Sequence, residues 1–245
     1  MTTYAAASMA ETMPAPRQAP IAPESTLQLL SSIAHEIRTP LAALTASSEM
    51  LRDAEGDDQA RFTAIIQRQA QRLNVIVEGL LAAYGASRGT FRHVRDIIDM
   101  TALISELRDE QAMLFPQHRF VIDVEPGRRV SGDRRLLGMV LVNLLSNACK
   151  YSPPASTVSI ECQTERGAMR ISVRDEGPGI PEHLRKRIFM AGERGAMTDA
   201  SGCGLGLFIA QSLCDAIGAE LTLDDSGEAP GACFVVMAPA QAVED

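Results

Sequence analysis

A chain of 245 residues with 46% apolar side chains is long enough for one large domain or two small ones and can bury real cores. Its formal charge of -8, with no clustered Lys and Arg face, argues against nucleic-acid binding, because affinity for a phosphate backbone rests on such clusters. No run reaches the roughly eighteen uncharged apolar residues of a spanning helix, and Met1 to Pro23 lacks the basic start and apolar run of a secretion signal, so no membrane insertion is expected and the expected compartment is the cytoplasm.

Residues 1–24 are rich in Ala, Pro, Thr and Met, and Pro14, Pro16, Pro20 and Pro23 forbid a sustained helix, so a disordered tail is expected. A sensory domain needs roughly 100 residues. The signal is therefore expected to come from a separate sensory protein.

From Ser25, an expected N-cap, Leu27, Leu30, Ala34, Ile37, Leu41, Leu44, Ser48 and Leu51 alternate three and four apart, which is a heptad seam. A polar turn over Asp53 to Asp58 contains Gly56. Phe62, Ile66, Gln69, Leu73, Ile76, Leu80 and Ala83 then repeat the spacing. The pattern predicts an antiparallel helical hairpin over 25–88. Two helices leave much of each apolar stripe wet, and two hairpins joined as a four-helix bundle cover it, so a homodimer is expected. The competing arrangement is a monomer whose hairpin packs on its own C-terminal domain.

After Tyr84 to Thr90 the texture changes to short apolar runs alternating with helical segments, and a second domain is expected over 89–245. Strands are predicted at 93–98, 120–124, 158–163, 169–174, 219–223 and 233–238, and helices at 101–115, 133–150 and 205–217. Together they read as an α+β sandwich with helices on one sheet face. The five cysteines form no CxxC pair, so neither a disulfide framework nor a zinc knuckle is indicated.

Four clusters carry chemistry. The first, Ser32 to Leu41, puts His35 next to the seam residue Ala34. A turn of about 100° per residue then sets the imidazole on the flank of the bundle, in reach of solvent. With an ordinary pKa of about 6.5 an imidazole is largely neutral near pH 7 and has one ring nitrogen free to attack phosphorus. Glu36 can take the proton from the other ring nitrogen as general base. Thr39, one turn beyond His35, can position water against a phosphorylated imidazole. Pro40 has no amide proton and should bend the helix there. An HExxH metalloprotease pattern fails because position 39 is Thr.

The second cluster, Asn143 to Tyr151, lies on a helix with Asp133 as expected N-cap. Asn143 and Asn147 stand four apart on one face, and a neutral amide oxygen suits Mg²⁺ that bridges phosphates; Lys150 adds positive charge for a phosphate. The third, Asp175-Glu176-Gly177-Pro178-Gly179-Ile180-Pro181, follows a strand. The fourth, Gly202-Cys203-Gly204-Leu205-Gly206-Leu207, precedes a helix. Glycines admit close backbone approach, and free amides at a helix start attract phosphate. Asp175 can accept a hydrogen bond from an exocyclic amine such as that of adenine.

Taken in order, these clusters resemble the H, N and two glycine boxes of the bacterial sensor histidine kinases, and Arg187-Ile188-Phe189 is similar to their F box. The resemblance covers residues from about 25 to 240. It implies a dimerisation and histidine-phosphotransfer hairpin followed by an ATP-binding domain of the gyrase, Hsp90 and histidine kinase type. It further implies ATP and Mg²⁺ as cofactors, with Asn147 as the metal ligand, Lys150 on a phosphate, Tyr151 as a pocket wall and Asp175 as the adenine reader. Gly177, Gly179, Ile180, Phe189, Gly202, Gly204, Leu205, Gly206 and Leu207 would shape the pocket and its lid. The phosphoryl group would pass from His35 to an aspartate on a response-regulator receiver domain, and Thr39 would serve the reverse, phosphatase direction.

Two positions depart from the family. After Phe189 the usual acidic residue, Pro and second Phe are replaced by Met190-Ala191-Gly192-Glu193-Arg194-Gly195, so the lid from Ile180 to Ser201 is expected to be more mobile or to dock differently, with Arg194 in reach of a phosphate. Cys203 stands where Thr or Ser is more common, and a thiol anchors a lid less well than a hydroxyl. An ATPase of the gyrase type would carry a water-activating Glu where this chain has Asn143. A phosphotransfer scaffold that had lost ATP would show eroded glycine boxes, and both are complete here.

Overall fold

A computed structural model describes residues 23–86, 96–165, 167–190, 204–224 and 231–239. Helices α1 (Pro23–Leu51) and α2 (Asp57–Ala86) come first. They are followed by β1 (Asp96–Asp99), α3 (Met100–Leu114), β2 (Arg119–Val124), β3 (Arg129–Gly132), α4 (Arg134–Tyr151), β4 (Thr157–Glu165), β5 (Ala168–Arg174), α5 (Gly206–Ile217), β6 (Glu220–Asp224) and β7 (Cys233–Pro239). Among the described residues no helix is long and apolar enough to cross a membrane.

The hairpin forms as its periodicity requires, and the chain turns at Gly56, whose positive φ of 58° suits a residue without Cβ. Helix α1 starts at Pro23, two residues before the expected cap at Ser25, and runs unbroken through Pro40. The seam splits within one chain. Ile37, Leu44 and Leu51 are half-buried, while Ala34, Leu41 and Ser48 are exposed, Leu41 by 53%. One partner helix covers one side of an apolar stripe, and the other side of this stripe faces outward. On α2 the C-terminal half is best covered: Val75, Ile76, Gly79 and Ala82 are buried because that half lies against α5. Part of α2 thus rests on the chain's own C-terminal region. An ion pair between Arg135 of α4 and Glu78 of α2 at 2.6 Å flanks this contact.

The C-terminal region is a five-stranded sheet in the order β2-β4-β5-β7-β6, parallel between β2 and β4 and antiparallel elsewhere, with a separate β1-β3 ribbon. The parallel pair is joined through β3 and α4, as a crossover must be. Along β4, Val158, Ile160 and Cys162 are buried and the residues between them half-wet, so one face is covered by helices. Helices α3, α4 and α5 supply that cover, with Leu136, Leu141, Leu144, Leu145 and Leu213 fully buried.

Local chemistry sets the helix ends. Asp99 and Asp133 cap α3 and α4 by accepting the amides of Ala102 and Leu136, each at 3.0 Å, and Gly218 ends α5 at a φ of 71°. Strand β3 is absent from the sequence-based expectation because its four residues, Arg129-Val130-Ser131-Gly132, carry one buried apolar side chain and no readable alternation. The expected strand at 93–98 appears as 96–99, its first three residues lying outside those described.

Candidate functional site

The ends of α4 and β5 and the starts of β7 and α5 converge on a cleft of about 1280 Å³ that is bordered elsewhere by α2, α3 and Glu36 of α1. Asn143, Asn147, Lys150, Tyr151, Asp175, Gly179, Ile180, Gly204, Leu205, Gly206 and Leu207 all line it. Three clusters that are far apart in the chain therefore share one wall. Gly202, Cys203 and Arg194 lie outside the described residues.

Asp175 is the most constrained member. It leaves the end of β5 and is 5% exposed. One carboxylate oxygen, Oδ1, accepts the amide of Gly177 at 2.8 Å and that of Ala232 at 3.1 Å, while the Asp175 amide donates to the Ala232 carbonyl at 2.9 Å. The residue also lines the cleft. Burial pushes this carboxyl above the usual carboxylate range, and the two backbone amides, together with the Arg174 charge, oppose that push.

Two glycines make the seat possible. A Cβ on Gly177 would stand 2.8 Å from both Asp175 Oδ1 and the Tyr151 carbonyl, and a Cβ on Gly231 would overlap the Asp175 carbonyl. Gly231 has a φ of 108°, which only glycine adopts with ease. Sequence reasoning missed Gly231, since a lone glycine carries no motif.

On α4, Asn143 spends its amide nitrogen on the Met139 carbonyl at 3.0 Å, which turns its oxygen outward. A Cβ built on Gly206 would lie 3.5 Å from Asn143 Oδ1 and from both amide atoms of Asn147, so the start of α5 sits directly over the two asparagines. No side chain caps α5 at Leu205, which leaves its first-turn amides available to an anion. Two amide oxygens, an ammonium and an uncapped helix start fit a magnesium-bound polyphosphate. Lys150 keeps contact with solvent, yet crowding by protein lowers its pKa, Arg72 lowers it further, and Glu36 partly restores it.

Phe189 does not line the cleft. It packs edge-on against Phe234, with ring centroids 6.3 Å apart, and Phe234 is itself part of the wall. Cys149 is buried behind Lys150, and burial pushes its thiol up to about 12, so it stays a protonated, inert packing group.

The hairpin residues divide between two surfaces. His35 and Thr39 are exposed and are not part of the cleft wall, and the Thr39 hydroxyl donates to the His35 carbonyl at 3.2 Å. Glu36, one residue on, is 7% exposed and lines the cleft, where its Oε2 accepts from Arg72 Nη2 at 2.7 Å. Arg72 is a second residue that the sequence did not single out; on a polar helix face it reads as an ordinary solvated arginine.

Two family models match the chain: the His Kinase A (phospho-acceptor) domain over residues 25–84, and the Histidine kinase-, DNA gyrase B-, and HSP90-like ATPase over residues 132–242. The signal transduction histidine-protein kinase/phosphatase MprB of Mycolicibacterium smegmatis is 32% identical over 238 residues, covering 91% of this chain and 47% of that protein. The signal transduction histidine-protein kinase AfsQ2 of Streptomyces coelicolor is 32% identical over 234 residues, covering 88% and 42%. The chain thus spans somewhat under half the length of these relatives. Among solved structures, a mycobacterial sensor histidine kinase MprB superposes with a TM-score of 0.54 at 30% identity, over 60% of this chain and 99% of that one. Full-length ShkA in complex with AMPPNP does so with a TM-score of 0.62 at 26% identity, over 89% and 47%.

Proposed function

The chain belongs to the bacterial sensor histidine kinase family, and from that premise we propose that it is a two-component kinase core that phosphorylates His35 from ATP and hands the phosphoryl group to a response-regulator aspartate. The observation that carries this reading is the shared cleft, where Glu36 of the hairpin faces Asn143, Asn147, Lys150 and Asp175.

In this reading Asp175 Oδ2 accepts the adenine amine, and Tyr151, Ile180 and Leu205 enclose the base. The phosphates would lie along the start of α5 between Lys150 and the asparagine pair, and Asn147 would hold the metal. Magnesium, when bound, supplies positive charge to the phosphate oxygens and orients them. The neutral His35 ring attacks the γ-phosphorus through one nitrogen. The P–N bond forms as the bond from phosphorus to the β–γ bridging oxygen breaks, and ADP leaves with that electron pair. The proton on the other ring nitrogen passes to Glu36. Catalysis is then mainly positioning and charge neutralisation.

Dimerisation through the outward part of the α1 seam, dephosphorylation through Thr39, and a cytoplasmic setting where ATP is available complete the proposal. A phosphotransfer scaffold without ATP chemistry finds no support, because the described part of the cleft is whole.

The deciding experiment incubates purified protein with magnesium and γ-labelled ATP. The expected product is an acid-labile, alkali-stable label that His35→Gln abolishes while nucleotide binding persists. Label that survives in His35→Gln, or none in the unaltered chain, would overturn the proposal.

A further inference from the structure

The Glu36–Arg72 ion pair links the two hairpin helices across 36 residues of sequence, and both partners line the same cleft as Asn143, Asn147 and Lys150. Their exposures differ: the Arg72 side chain is 36% accessible and that of Glu36 8%. The guanidinium therefore lies at the water-facing edge of the pair. Lys150 feels both groups, its charge disfavoured by Arg72 and favoured by Glu36. Arg72, Lys150 and the Glu36 carboxylate thus line one cleft together with the asparagine pair.

Arginine offers five N–H donors in a fork that matches phosphate as well as carboxylate, and charge-assisted bonds of either kind are of similar strength. A phosphate that entered between Lys150 and Arg72 would compete directly with Glu36. A carboxylate gripped by a guanidinium also holds a proton poorly, since the opposite charge favours its ionised form.

Resting on the kinase reading above, we infer that Arg72 is a counter-ion shared between Glu36 and the terminal phosphate of ATP: it holds Glu36 in the absence of that phosphate and shifts to the phosphate when it arrives. The shift withdraws the Arg72 charge from Glu36, whose carboxylate then accepts the His35 ring proton more readily. ADP lacks the terminal phosphate and leaves the ion pair closed. Arg72 thereby couples recognition of the triphosphate to availability of the base, as a positioning residue for Glu36 and a direct contact for the nucleotide.

The test is calorimetric binding of ADP and of a non-hydrolysable ATP analogue, both with magnesium, to the full chain and to Arg72→Gln, Glu36→Gln and the double variant. Arg72→Gln should lose roughly tenfold in affinity for the analogue, the scale of one charge-assisted hydrogen bond, and keep its affinity for ADP. Glu36→Gln should bind the analogue several-fold more tightly, on the order of half that bond's worth, because a neutral amide competes less for the guanidinium. That gain should vanish in the double variant. A merely structural ion pair predicts no gain from Glu36→Gln.

An unchanged preference for the analogue over ADP in Arg72→Gln would overturn the inference. So would equal losses for both nucleotides, or a Glu36→Gln gain that persists without Arg72. These are binding measurements, so their failure with His35 labelling intact is distinct from failure of the kinase reading, which shows as absence of label on the unaltered chain.

Discussion

Gly231 and Asp175 approach so closely that a Cβ on the glycine would overlap the aspartate's carbonyl oxygen, and the next residue, Ala232, donates its amide to the Asp175 carboxylate. The group proposed to read adenine is thus seated by a backbone contact made across a span of 57 residues.

Gly231→Ala has no room and no comfortable backbone at a φ of 108°. The obstacle is backbone, which cannot swing aside as a flexible side chain can. The variant should lose about 2 kcal/mol or more of stability, and its ATP affinity should fall at least about tenfold. Urea denaturation and nucleotide titration check both; a wild-type melt with wild-type affinity would reject the seat.

Asp175 gives a pH dependence with a definite sign. Its folded-state pKa is raised by burial, so between the unfolded and folded values the native state holds more protons, and stability falls as pH rises through that window. Asp175→Asn keeps an acceptor for Gly177 and Ala232 without the buried charge. It should be the more stable protein at neutral pH, with the difference narrowing on acidification, and it should bind ATP about tenfold or more weakly. Denaturation midpoints for both proteins from neutral pH down through the ordinary carboxylate range test this, and a difference that widened as pH fell would contradict it.

Gly79 lets α2 lie against α5, because a Cβ there would overlap Ile209 Cγ2. Ile209 is β-branched and 2% exposed, so it yields little. Gly79→Val should separate the hairpin from the ATP-binding region, seen as faster amide exchange in α2 and α5, and Ile209→Ala should partly restore protection. Unaltered exchange in Gly79→Val would show that the contact does not hold the two together.

Leu41 is 53% exposed on the outward side of α1. If a second hairpin covers it, Leu41→Glu places a charge in an apolar seam and should weaken self-association by roughly tenfold to a hundredfold. Sedimentation across a concentration series reads this directly, and equal association of both proteins would remove Leu41 from any dimer interface.

Thr39→Ala removes an exposed hydroxyl that lies one turn from His35 and donates to the His35 carbonyl. Labelling of His35 should change less than about twofold, while dephosphorylation of a phosphorylated receiver domain should slow by about tenfold or more, the usual range for losing a positioned catalytic group. Equal dephosphorylation rates would count against the role.

What the sequence determined by itself was whatever depends on neighbours in the chain. Spacing of three and four set α1 and α2, Asp133 marked the start of α4, and the order of His35, Asn143 and Asn147, Asp175 and Gly204 to Leu207 announced a nucleotide chemistry. Each signal repeats locally or sits at a helix end, where the physics is short-ranged. The tertiary structure alone decided what depends on partners distant in sequence. It turned Glu36 inward to Arg72 while His35 stayed in water, made Gly231 the support of Asp175, let Gly79 set the approach of α2 to α5, and divided the α1 seam between a covered and an open side. A single glycine or arginine has no pattern of its own. Its meaning is the space and charge that packing brings beside it.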